Sequence, residues 1–184
     1  MSEHLDRDAQ FALGEECIAF RAPEKAAYWF RLAAEQDHIE AQYRYGEQLY
    51  RGRGTREEGI DWLIKAGKQG HSKAQLKLAR HYHLYEDKIH FVHWLREAAE
   101  CGSSQGQYML GLLYYKGEQG IRKSLEIALH WFHIAAEQGH MDAQSKLGSM
   151  YFYGEGVAVD LEISEYWTIK AGEAAMEMLK EMHD

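Results

Sequence analysis

Apolar positions along this chain recur at helical rather than strand spacing, and they do so in a repeating frame. Segments such as "AQYRYGEQLY" (41–50), "GQYMLGLLYY" (106–115) and "AQSKLGSMYF" (143–152) set apolar side chains three and four residues apart, the spacing of one helix face. Each predicts a first helix, A. A second helix, B, is predicted around each tryptophan: Trp29, Trp62, Trp94, Trp131 and Trp167. Counting back seven residues gives Ala22, Thr55, Asp87, Ser124 and Asp160. All but Ala22 have a side chain that accepts a bond from the orphan N–H groups of a helix start. Thr55 is followed by Glu58, a capping box. Ala22 is followed by Pro23, which suits the first helical position because its missing N–H costs nothing there. Counting forward eight gives Asp37, Gly70, Gly102 and Gly139, where a left-handed residue ends the helix. The fifth equivalent, Ala175, does not stop the chain. The last helix is therefore expected to run on through "AAMEMLKEMHD", with Met176, Leu179 and Met182 covering the open end of the stack.

The frame itself is a repeat. A small residue precedes a glutamine at Ala9, Ala41, Ala74, Gly106 and Ala143, in steps of 32, 33, 32 and 37 residues. From each of the first four tryptophans to the next such position the distance is 12. All length variation lies in the A–B connection, which projects and tolerates insertion; the B–A turn holds the stacking register. Such periods indicate stacked supersecondary units, here one repeat domain over 1–184 with units at about 9–40, 41–73, 74–105, 106–142 and 143–184. Small residues recur in both helices (Gly14, Gly46, Ala79, Gly111 and Gly148 in A; Ala33-Ala34, Ala66-Gly67, Ala98-Ala99, Ala135-Ala136 and Ala171-Gly172 in B). A helical glycine costs up to about 1 kcal/mol relative to alanine, so its recurrence predicts close helix approach. The fixed phase of the tryptophans assigns them to the core.

The stretch "LGSMYFYGEGVAVDLEISEYWTIKAG" closely resembles the Sel1-like repeat, a relative of the tetratricopeptide repeat. The matching residues are Leu147, Gly148, Tyr151, Gly154, Gly156, Val157, Asp160, Trp167, Ala171 and Gly172. The resemblance extends over residues 9 to about 175. It departs in the first and third units, whose "AFRAPEK" and "HLYEDK" lack the Gly-x-Gly loop. It implies an all-α fold, a right-handed superhelix of about five helix-turn-helix repeats with an extended C-terminal capping helix, acting as a protein-binding scaffold with helix A on the concave side.

In that architecture the outward positions lie two, six, nine and ten residues after each unit's first small residue. They are Phe11, Glu15 and Ile18; Tyr43, Glu47, Tyr50 and Arg51; Leu76, Arg80, His83 and Leu84; Tyr108, Leu112, Tyr115 and Lys116; and Phe152 and Tyr153. Aromatics and arginines dominate interface hot spots, which makes this face the expected partner-binding surface. The competing reading has the rings packing between neighbouring helices.

The remaining chemistry narrows the function. His38, His71 and His140 share one turn position and are expected to cap helix A. His81, His83, His90 and His93 concentrate in the third unit, but no cysteine or carboxylate completes a zinc spacing, so neither metal nor cofactor is expected. A histidine-based metal protein stays a remote alternative. Catalytic motifs are absent: there is no G-x-S-x-G, S-x-x-K, H-E-x-x-H or phosphate loop. Cys17 and Cys101 are too few for a disulfide framework and read as small buried thiols. The net charge of −8 argues against nucleic acid or an anionic membrane as partner. A mildly basic middle, eight acids and eleven bases over 41–100, lies between acidic ends. No apolar run is long enough to span a membrane and "MSEHLDRDAQ" does not read as a signal peptide, so a cytoplasmic protein is expected, monomer or homodimer. The expected function is a non-catalytic scaffold that binds a protein or peptide. The alternative is a bacterial immunity protein that neutralises a toxin or effector.

Overall fold

A computed structural model describes residues 5–181, apart from the side chains of Arg53, Met178 and Glu181. Among the described residues all regular structure is helical. The helices are α1 (Arg7–Ala19), α2 (Pro23–Glu35), α3 (Ile39–Gln48), α4 (Arg56–Lys68), α5 (Ser72–Leu84), α6 (Lys88–Glu100), α7 (Ser104–Lys116), α8 (Leu125–Glu137), α9 (Met141–Tyr153) and α10 (Leu161–Glu181). Odd-numbered helices are the A helices and even-numbered ones the B helices. The chain divides into two units, one ending at Leu84 and one starting at Tyr85. The first holds α1–α5 and the second α6–α10.

The helix starts follow from local chemistry. Thr55, Asp87 and Ser124 accept from Glu58, His90 and Ile127 N–H, and Asp160 accepts from Ile163 N–H at 2.9 Å. Ala22 makes no side-chain bond, and Pro23 opens α2. Gly70, Gly102 and Gly139 are left-handed after the B helices, and Asp37 takes the same conformation at φ 60°. The two A–B turns without the glycine loop still need left-handed residues, which Arg21 (φ 54°) and Glu86 (φ 58°) supply at a steric cost glycine would avoid. α3 widens in its last turn, Leu49–Arg53, and Gly52 breaks it at φ 104°.

The core differs from expectation in one systematic way. Trp94 and Trp167 are buried, but Trp29, Trp62 and Trp131 are only half-buried. In the first four B helices the residue after the tryptophan is the core residue: Phe30, Leu63, Leu95 and Phe132 are at most 1% exposed. Trp62 instead lies under the Lys65 ammonium, 3.7 Å from the ring centroid. The helical glycines mark the predicted close approaches. A Cβ on Gly14 would overlap the Phe30 ring, and one on Gly111 would sit 2.6 Å from Phe132. Gly172 departs from this pattern, because among the described residues a Cβ there meets nothing within 4 Å. α10 is the extended last helix expected, yet Met176 and Leu179 are themselves 68% and 57% exposed. Met182 lies outside the described residues. The thiols also differ from expectation. Cys17 is half-buried and Cys101, at the C-cap of α6, is exposed.

The twelve-residue spacing has a direct cause. Gln42, Gln75, Gln107 and Gln144 are at most 5% exposed. Each donates through Nε2 to a carbonyl five residues past the preceding tryptophan: Ala34 (3.4 Å), Gly67 (2.8 Å), Ala99 (3.1 Å) and Ala136 (3.1 Å). Three further glutamines at the B-helix ends extend this into a ladder. Gln36 donates to Gln10 (2.8 Å), Gln69 to Gln42 (2.8 Å) and Gln138 to Gln107 (2.6 Å). A buried amide is tolerated only when bonded, so this network pins the B–A turn and admits no insertion.

Candidate protein-binding face

The histidines at the turn explain the first aromatic row of the A helices. His38, His71 and His140 accept through Nδ1 from Ala41, Ala74 and Ala143 N–H at 3.1, 3.1 and 3.3 Å. They cap α3, α5 and α9 as a serine or aspartate would. Each imidazole then stacks on the ring two residues into the preceding A helix: Phe11–His38 at 4.4 Å, Tyr43–His71 at 4.5 Å and Tyr108–His140 at 4.6 Å between centroids. Burial, then the nearby Glu47 carboxylate, raises the Tyr43 phenol; burial, then Asp142, raises Tyr108. Expected to point outward, Tyr43 and Tyr108 are half-buried and join one repeat to the next. Phe11, Leu76 and Leu112 are half-buried as well.

A second row is clamped by cations. In the first unit, Glu47 is the hub. It accepts from Tyr43 Oη (3.4 Å), pairs with Arg51 (3.2 Å) and takes a hydrogen bond from Lys77. Burial pushes the Glu47 carboxyl up, but the Lys77 bond and the Lys77 and Arg51 charges outweigh it, and its pKa is lowered. Lys77 also lies 5.8 Å from the Tyr50 ring, whose hydroxyl is 3.3 Å from His81 Nδ1. One repeat earlier, Arg44 bonds Glu40 (2.8 Å) and faces Glu15 (3.6 Å). A cavity of about 320 Å³ is lined here by Ile18, Phe30, Arg44, Glu47, Gln48 and Arg51. In the second unit, Lys146 Nζ sits 3.5 Å over the Tyr115 ring, and Tyr115 Oη donates to Glu155 at 2.8 Å. Arg44, Lys77 and Lys146 each stand three residues after a repeat's small residue. That recurrence is readable in the sequence; their contact with rings or carboxylates of the preceding repeat is not.

The members of the face left open to solvent form a smaller set. In the first unit they are Ile18, Arg51, Arg80, His83 and Leu84; in the second, Lys116, Phe152 and Tyr153. Phe152 and Tyr153 are 53% and 71% exposed and meet edge to face at 4.9 Å. Both expected carboxylates of the face, Glu15 and Glu47, are held by basic side chains of the protein itself.

Two of the other described histidines lie within hydrogen-bond distance of a neighbour. His133 Nε2 lies 3.0 Å from Tyr151 Oη, and His90 Nδ1 lies 2.8 Å from Asp87. Among the described residues no group of three or more His, Cys, Asp or Glu converges as a metal site would. No described helix is long and apolar enough to cross a membrane.

No curated protein matches the chain. The Sel1 repeat family model matches residues 7–38, 39–71, 92–103, 104–140 and 142–176. Among solved structures, the chain is similar to the Sel1 repeat protein of Oxalobacter formigenes, at 26% identity and a TM-score of 0.75, over 91% of this chain and 71% of that one. It is also similar to a protective antigen of uropathogenic Escherichia coli strains that displays an SLR fold (31% identity, TM-score 0.73), over 96% of this chain and 42% of the antigen. It thus spans less than half the antigen's length. An immunity protein of Pseudomonas aeruginosa shares the fold at 17% identity and a TM-score of 0.59, over 91% of this chain and 68% of that one. Five matched stretches, together with the paired helices that they cover, place the chain in the Sel1 repeat family.

Proposed function

We propose that this protein is a non-catalytic scaffold that holds a partner protein against its helix-A face. Sel1 repeat proteins generally mediate protein–protein interaction and are generally non-catalytic. The observation that carries the reading to this face is the composition of its exposed part. Arg51, Arg80, Lys116, Phe152 and Tyr153 are cationic or aromatic, the types enriched in binding hot spots, while Glu15 and Glu47 are neutralised internally. The half-buried rings Tyr43, Tyr50, Tyr108 and Tyr115 support the surface from beneath, and their loss would disturb the stack itself.

The test is affinity capture with purified wild type and two folded variants, Arg51→Glu/Arg80→Glu in the first unit and Lys116→Glu/Tyr153→Ser in the second. Circular dichroism verifies each fold. A partner retained by wild type and lost from either variant supports the reading; equal retention by both variants refutes it. The captured partner also separates the two roles. An adaptor binds a short segment at about micromolar strength. An inhibitor of a toxin buries a standard-sized interface at about nanomolar strength or better.

A further inference from the structure

Each B helix offers a stacking face to the A helix that follows, and on α10 no described residue covers that face. In α8 the face is covered. Leu125 lies under Gly156, where an added Cβ would come within 2.5 Å of it. His133 meets Tyr151 and, at 5.7 Å, Trp167, and the Ala136 carbonyl accepts from Gln144. The same positions on α10, aligned through Trp131 and Trp167, are Leu161, Ile169 and Gly172, followed by Met176. Leu161, Ile169 and Met176 are 61%, 53% and 68% exposed, and among the described residues nothing lies within 4 Å of a Cβ added at Gly172. Their spacing places them on one stripe of the helix. At the edge of this stripe the repeat rule is also incomplete. Tyr50 and Tyr115 lie beneath the lysine of the following A helix, whereas Phe152, at the same repeat position, is 53% exposed.

The repeat's own contacts specify what fits: a helix with an apolar face, small where it crosses Gly172, and a lysine or arginine over Phe152. Charge points the same way. Residues 161–181 carry five glutamates and two lysines. A second copy offering its first helix would bring Asp6, Asp8, Glu15 and Glu16 against one base, Arg7, like charge against like. We infer that the open face of α10, with the Phe152 edge, docks a basic amphipathic helix of a partner protein, laid down as α9 lies on α8. This site is separate from the exposed cations of the helix-A face, and its success or failure leaves the capture result above unchanged.

The probe is a fluorescein-labelled peptide with the sequence of residues 139–154, the helix that occupies this place on α8. One version carries D142K, S145K and S149K and a second carries glutamate at the same three positions; all three side chains are exposed on α9. Anisotropy titration is expected to give about micromolar binding of the basic peptide and at least about tenfold weaker binding of the acidic one. Ile169→Lys/Met176→Lys is expected to weaken the basic peptide by about tenfold or more, with helix content and unfolding midpoint unchanged because both side chains are mostly exposed. Equal binding of the two peptides, no binding of either, or full binding by the double variant overturns the inference. So does self-association in sedimentation that the double variant abolishes, since a second copy would then be the occupant.

Discussion

Alanine at Gly111 and alanine at Gly172 are the same change in the middle of a helix, and the structure assigns them opposite signs. Both replacements gain up to about 1 kcal/mol of helix preference. At Gly111 the new methyl would lie 2.6 and 2.8 Å from two carbons of the Phe132 ring, and that ring is fully buried in the core of the second unit. It cannot swing into solvent, so α7 and α8 must separate or the ring must leave its rotamer, at about 1–3 kcal/mol. The net expectation is a loss of up to about 2 kcal/mol. At Gly172 nothing among the described residues lies within 4 Å of the new methyl, and the helix preference stands alone as a gain. For a chain of this size about 1 kcal/mol corresponds to about 2–4 °C. Thermal unfolding followed by circular dichroism is therefore expected to show Gly111→Ala below wild type by up to about 8 °C and Gly172→Ala above it by up to about 4 °C. Gly14→Ala, whose added carbon overlaps the Phe30 ring, is expected to behave like Gly111→Ala. Shifts of the same sign at Gly111 and Gly172 would refute close approach as the reason for the recurring glycine.

Three further outcomes are expected. Burial lowers the pKa of His81, His133 and His140 below the ordinary value of 6.5. A group with a depressed folded-state pKa stabilises the fold above its unfolded value, and that stability is lost as pH falls through the folded one. Urea midpoints are therefore expected to be level above about pH 7 and to fall as the pH drops below about 6.5. A second fall is expected below pH 4.5, because Glu40 and Glu47 also sit below their ordinary value; a midpoint that rises as the pH is lowered from about 7 to about 5 would contradict this. His71→Ala removes the α5 cap and the ring stacked on Tyr43 and is expected to cost about 1 kcal/mol or more, while His71→Asn, which can still cap, restores part of it; equal urea midpoints for the two variants would remove the cap from the explanation. Tyr115→Phe loses the 2.8 Å bond to Glu155 but keeps the ring beneath Lys146, so chemical denaturation is expected to show a loss of only about 0.5–1.5 kcal/mol, whereas Tyr115→Ala loses the packed ring and is expected to cost more.

The helix frame is legible in the sequence because its signals are local. Thr55, Asp87, Ser124 and Asp160 cap within three residues of themselves, and Gly70, Gly102 and Gly139 end helices by their own backbone freedom. The fixed distance from tryptophan to glutamine is legible as a number, and its cause is not, since Gln107 is held by Ala99 and by Gln138, 31 residues away. The candidate face is legible only as a set of helix positions. Which of its rings are exposed depends on the following repeat. Tyr115 is covered because Lys146 and Glu155 reach it from α9 and the turn after it. Phe152, at the same repeat position, is open. Periodicity misplaces Trp29, Trp62 and Trp131 for a related reason: it defines a helix face, but in α2 and α8 it is Phe30 and Phe132, one residue further on, that point directly at Gly14 and Gly111.

Whether a partner lies on the A helices is read out by hydrogen–deuterium exchange with and without the captured partner. Slowed exchange is expected at the C-terminal ends of the A helices, around Tyr50–Arg51 and Arg80–Leu84 in the first unit or Leu112–Lys116 and Phe152–Tyr153 in the second, with α2, α4 and α8 unchanged. Protection confined to α2, α4 and α8, with those A-helix segments exchanging as in the unbound protein, would contradict it.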